Sequence, residues 1–169
     1  MDGKSYPGAK ALVELHEIHL RSFLATWRVA KEKQVTLPET SDRAYHSLDS
    51  LLWHVLSCAC RYISWTADAL EIPSPALPEL PGEDEIAAEA DQILESILAA
   101  WRLPLVDLPL KAFVRGEHPA WWGTGYCVDA MLEHAVMHPL RHEWQLKKLV
   151  RGQPGDACPR VQERPSQSP

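Results

Sequence analysis

The chain is poor in the features that would hold it to a nucleic acid or a bilayer. Lysine and arginine number 17 against 23 aspartates and glutamates, a formal charge of -6 with a pI near 5.7, and no basic run interrupts that balance. A protein held through phosphates needs a basic face, so nucleic acid is not an expected partner. No window approaches 18 uninterrupted apolar residues, so no membrane-spanning helix is expected. The opening MDGKSYPGAKALVELHEIHL lacks the charged start, apolar run and small-residue cleavage site of a signal peptide, and the expected location is cytoplasmic.

Cysteine is also scarce. Cys58, Cys60, Cys127 and Cys158 in a chain of this size read as reduced thiols rather than a disulfide framework, and Cys58 with Cys60 forms CxC, not the CxxC of a redox motif or zinc knuckle. There is no glycine-rich phosphate loop, no GxSxG elbow and no paired-carboxylate signature. Asp68, Asp129, Glu133 and Glu143 therefore receive no catalytic assignment; the last three lie on a helix whose polar face carries charge in any case.

What remains is helix. At 169 residues and 46% hydrophobic content, the chain suits one domain over residues 1–152, followed by a tail over 153–169 whose Pro, Ser and charge content predicts disorder. The first helical segment runs from about Gly8 to Lys33, with Leu12, Leu15, His19, Phe23 and Trp27 as its stripe. The second follows Ser47 as N-cap and reaches about Leu70, with Leu51, Val55, Cys58, Tyr62 and Trp65 on one side. The third opens with Glu83, Asp84 and Glu85 and buries Ile86, Ala90, Ile93, Ile97 and Trp101. The fourth spans about Gly125 to Val150 and stops at Arg151-Gly152. Leu103 to Val114 suits a short extended piece. The fold class is all-α, a four-helix bundle. The link Glu71 to Gly82 carries Pro73, Pro75, Pro78 and Pro81. Twelve extended residues reach roughly 40 Å, whereas a 24-residue helix is about 36 Å long, so the link can cross the whole bundle and let the second and third helices run parallel.

The fourth helix carries His134, His138 and His142 at four-residue steps. Imidazoles at i and i+4 lie about 6 Å apart along a helix and can share one ion, whereas the outer two are about 12 Å apart and cannot easily do so. The chelating pair is His134 with His138 or His138 with His142, and a further ligand has to come from elsewhere.

Leu51-Leu52-Trp53-His54 on the second helix, with His138-Pro-Leu-Arg-His142-Glu-Trp-Gln145-Leu on the fourth, resembles the DinB/YfiT-like superfamily over roughly residues 8 to 150. The resemblance implies a four-helix bundle with a long crossover between helices 2 and 3, and a homodimer. It further implies a divalent metal, zinc or nickel, on His54, His138 and His142, with His134 as a neighbour. Characterised members include thiol-dependent transferases and isomerases using mycothiol or bacillithiol, and some hydrolase-like enzymes. The function implied here is a metal-dependent thiol transferase or hydrolase acting on a small-molecule substrate, with a low-molecular-weight thiol as a possible second cofactor. The alternatives are a non-catalytic small-molecule-binding or stress-response bundle that keeps the histidines, and a structural dimerisation module in which they are solvated.

Two positions depart from the family pattern. Glu143-Trp144 stands where Arg-Gly is usual, which would reshape the pocket if that face lined it. Pro139 lacks an N–H for the Ala135 carbonyl and disfavours helical geometry at His138, so a kink is expected beside the central histidine. His16 and His19 are expected as core or boundary histidines, Cys58 as a packing residue, and Trp53, Trp65 and Trp101 as core. Trp121-Trp122 falls in the loop before the fourth helix and is expected to cover the mouth of the site.

Overall fold

A computed structural model describes residues 6–102, 105, 108–114 and 116–152; the expected tail over 153–169 lies outside the described residues. Among the described residues the fold is all-α apart from a small hairpin of two two-residue strands. Its helices are α1 (Pro7–Glu32), α2 (Leu48–Ala69), α3 (Ile86–Arg102), the short α4 (Leu110–Val114) and α5 (Val128–Arg151), and its strands are β1 (His118–Pro119) and β2 (Gly125–Tyr126). No helix among the described residues is long and apolar enough to cross a membrane.

Contacts between named side chains give the helix directions. On α1, Glu17, Arg21 and Arg28 pair in turn with Arg102, Glu95 and Asp91 of α3, so those two helices are antiparallel. Trp27 near the end of α1 donates to the Leu48 carbonyl at 2.6 Å, which sets α1 against the start of α2 in the opposite sense. At the start of α2, Ser50 donates to Glu83, and Trp53 donates to the Pro81 carbonyl at 3.0 Å, while Trp101 at the end of α3 reaches the Ala59 carbonyl at 3.1 Å. Helices α2 and α3 are therefore parallel, as the proline-rich link permits. Finally α5 runs antiparallel to α2, bringing His138 against His54 and His134 against Tyr62.

The sequence stripes hold on α3 and, over Leu51, Val55, Cys58 and Tyr62, on α2, where Trp65 and Trp53 are only partly buried against the core rather than in it; the stripe shifts on α1. The α3 residues Ile86, Ala90, Ile93, Ile97 and Trp101 are all buried. On α1 the buried face is Ala9, Val13, His16, Leu20, Phe23, Leu24 and Trp27, while Leu15 is 41% exposed. The core histidine is thus His16 and not His19. Helix packing favoured the neighbouring stripe because the α1 surface meets both α3 and α5.

Three boundaries also move. Ser47 caps α2 as expected, its hydroxyl accepting from the Ser50 N–H at 2.9 Å. Glu83 to Glu85, however, form a turn before α3, closed by Ile86 N–H to the Gly82 carbonyl at 3.1 Å. The expected extended piece before Val114 is replaced, over Leu110–Val114, by α4, whose Phe113 is buried in the core. The last long helix begins at Val128 because Gly125-Tyr126 pairs with His118-Pro119 instead. The hairpin tip is tied by Ala120 N–H to the Thr124 carbonyl at 2.8 Å and uses Gly123 at φ +90, a conformation that suits glycine.

Candidate metal centre

The facing sides of α2 and α5 bring together His54, His138 and His142, each offering one ring nitrogen, and these three atoms lie within 4.8 Å of one another. The ring centroids are 4.7 Å apart for His138 and His142, 4.9 Å for His54 and His138, and 5.4 Å for His54 and His142. His54 Nε2 and His138 Nε2 are separated by 3.0 Å. Helix α5 is continuous through Pro139, and its two triad rings still converge.

Outer contacts orient one of these rings. Gln145 Oε1, an acceptor only, lies 3.1 Å from His142 Nδ1 and receives the Tyr45 hydroxyl at 2.7 Å. The proton of His142 therefore sits on Nδ1, and its lone pair is on Nε2. That Nε2 is buried and has no hydrogen-bond partner among the described residues, and neither does His138 Nδ1. A buried nitrogen lone pair left without a donor is costly unless something fills it.

All three rings are held in the neutral form a cation requires. Burial, reinforced by His142 and His54, lowers His138 from the ordinary 6.5 to about 2. Burial, then His54 and Arg141, bring His142 to about 4, and burial likewise lowers His54. Neutral imidazoles free of proton competition, converging from two helices with an unfilled Nε2, fit a borderline divalent ion such as zinc or nickel.

A cavity of about 460 Å³ opens onto the triad. Tyr62, Trp121 and Trp122 line it together with Cys58, Asp42 and Arg141. The hairpin carrying the two tryptophans is pinned to α2 by Trp65, which donates to the Pro119 carbonyl at 2.9 Å. The indoles meet edge to face at 4.5 Å, and Trp121 lies 5.3 Å from Tyr62. The expected position of this loop at the mouth is observed, with the indoles 41% and 40% exposed.

The remaining sequence candidates divide clearly. His134 stacks on Trp122 at 5.3 Å and 28°, beside the triad but outside it. Cys58 Sγ lies 3.9 Å from His54 Nδ1, yet burial pushes its thiol up to about 11, so it packs as a neutral group. His16 is 1% exposed with its ring 4.0 Å from Trp101, and His19 Nδ1 faces Glu143 at 3.6 Å. Neither joins the triad. Glu143 is buried on the α1 side, accepting from Ser22 at 2.7 Å and pairing with Lys147, whereas Trp144 is 55% exposed beneath Lys148. Glu143 and Trp144 thus do not line the cavity.

Tyr45, Asp42, Tyr62 and Arg141 were not singled out as site residues in the sequence. Tyr45 and Asp42 sit in and before a short 3-10 turn at Arg43–Tyr45, where no periodic pattern marks them. Arg141 gave a weak signal only, standing one turn beyond His138. Comparison with protein-family models, curated proteins and solved structures returns no match to this chain.

Proposed function

We propose that the chain is a DinB-like metalloprotein that holds a divalent ion, zinc or nickel, on His54, His138 and His142 and acts on a small molecule as a thiol transferase or hydrolase. One observation carries the reading: three neutral imidazoles from two helices converge within 4.8 Å beside a cavity. When bound, the ion would supply Lewis-acid activation of a water or a substrate thiol at the position that three protein ligands leave open. The chain's own residues do the rest. Gln145 and Tyr45 hold the His142 ring in the tautomer that presents Nε2. Tyr62, Trp121 and Trp122 offer an aromatic wall that could receive the body of a substrate.

Metal analysis of protein purified without a histidine tag tests this. One divalent ion per chain is expected, with loss of most of it in His142→Ala. Absence of stoichiometric metal, together with unchanged metal content in His142→Ala, overturns the reading. The aromatic wall favours a second reading, non-catalytic binding of an apolar molecule; affinity for such a ligand would then survive a chelator.

A further inference from the structure

Arg141 is the unexplained charge of this site. It lies on α5 three residues after His138 and next to His142, and it lines the cavity that meets the triad. Among the described arginines, Arg21 pairs with Glu17 and Glu95, Arg28 with Asp91 and Arg102 with Glu17, whereas Arg43 and Arg151 lack a side-chain partner as Arg141 does but do not line the cavity at the triad. Arg61 rests on the Trp121 ring at 4.6 Å. Among the described residues no hydrogen bond or ion pair engages Arg141. Its charge nevertheless acts on all three triad imidazoles and on Cys58 and Tyr62.

Arg141 is exposed at the cavity mouth, so its guanidinium is open to an incoming anion, whose charge would offset that of a dication held on the triad. This argument rests on the metal reading of the triad. The planar fork of arginine matches a carboxylate in two parallel hydrogen bonds. The same cavity carries Asp42, which opposes a second negative charge, and the apolar wall of Trp121, Trp122 and Tyr62, which suits a hydrophobic body. We propose that Arg141 is a substrate-binding residue that anchors a carboxylate, and that the substrate class is therefore a small monocarboxylate with an apolar portion.

Calorimetric titration of the zinc-loaded full chain with benzoate, its neutral isostere benzamide and phenyl phosphate tests the proposal. Benzoate is expected to bind more tightly than benzamide. Arg141→Gln should weaken benzoate by about tenfold or more, the value of one lost charge-assisted contact, with melting temperature unchanged and zinc affinity not reduced, because a positive charge beside the ion is removed. Arg141→Lys, which keeps the charge without the fork, should recover part of the loss. The proposal is overturned if wild type gives no benzoate binding, if benzamide binds equally well, if Arg141→Gln binds benzoate as wild type does, or if phenyl phosphate binds more tightly than benzoate through Arg141. The two readings fail separately. Stoichiometric zinc with benzoate binding indifferent to Arg141 removes this one alone, whereas Arg141-dependent benzoate binding without zinc supports it and removes the metal.

Discussion

At His142 the position of one proton decides what the ring can do. Gln145 accepts from Nδ1 at 3.1 Å, which leaves Nε2 as the only lone pair. Removing that acceptor in Gln145→Leu is expected to lower zinc affinity by about 10–100-fold, measured by competition with a chromophoric chelator. An unchanged affinity would mean that the tautomer is set by something else. His16 poses a different residue-scale problem, because burial lowers it from 6.5 to about 3 and neither ring nitrogen has a partner among the described residues. Its folded-state value is depressed, so its stabilising contribution is complete above 6.5 and is lost as pH falls toward about 3. The slope in that window approaches about 1.4 kcal/mol per pH unit for one group. His16→Phe is expected to flatten the acid limb of a denaturation-against-pH series. A limb as steep as that of the wild type would show that His16 does not carry it.

At the scale of elements, both helix ends before long connections are built without glycine. Gln34 and Glu71 follow the C-caps of α1 and α2 at φ 54 and 53, in the left-handed region. The bonds Val35 N–H to the Ala30 carbonyl and Ile72 N–H to the Ala67 carbonyl, each 3.0 Å, close the two ends as Schellman motifs. Side chains in that conformation cost about 1 kcal/mol, partly offset by the greater unfolded-state freedom of glycine. Gln34→Gly and Glu71→Gly are each expected to raise stability by about 0.5 kcal/mol in urea denaturation. A loss in both would show that the side chains, not the backbone, hold these caps. The sequence stop signals read only the glycine at the end of α5 and were silent here.

For the whole molecule, the Pro-rich link and the hairpin are what assemble the site. Trp53 on Pro81 and Trp65 on Pro119 fasten them to opposite ends of α2. The homodimer implied by the family resemblance remains our proposal. Leu15, Ile18, Met137 and Trp144, 41%, 57%, 56% and 55% exposed on adjoining helices α1 and α5, offer it apolar surface. Sedimentation is expected to give twice the 19.0 kDa of the chain, with Ile18→Lys/Trp144→Lys shifting it to monomer. A wild-type monomer would remove the idea. Local information determined much of this protein: four long helices, the Ser47 cap, the α3 stripe and the reach of the 71–82 link follow from periodicity and chain geometry, which depend on neighbours in sequence. Spacing alone narrowed the α5 histidines to two possible pairs, and His54 entered through resemblance. Only tertiary structure decided that His16 rather than His19 is core, that Glu143 and Trp144 do not line the cavity, and that Tyr45 and Arg141 join Gln145 of the motif around the triad. Those facts depend on which surface of one helix meets another, and a stripe or motif read along one segment does not contain its partner.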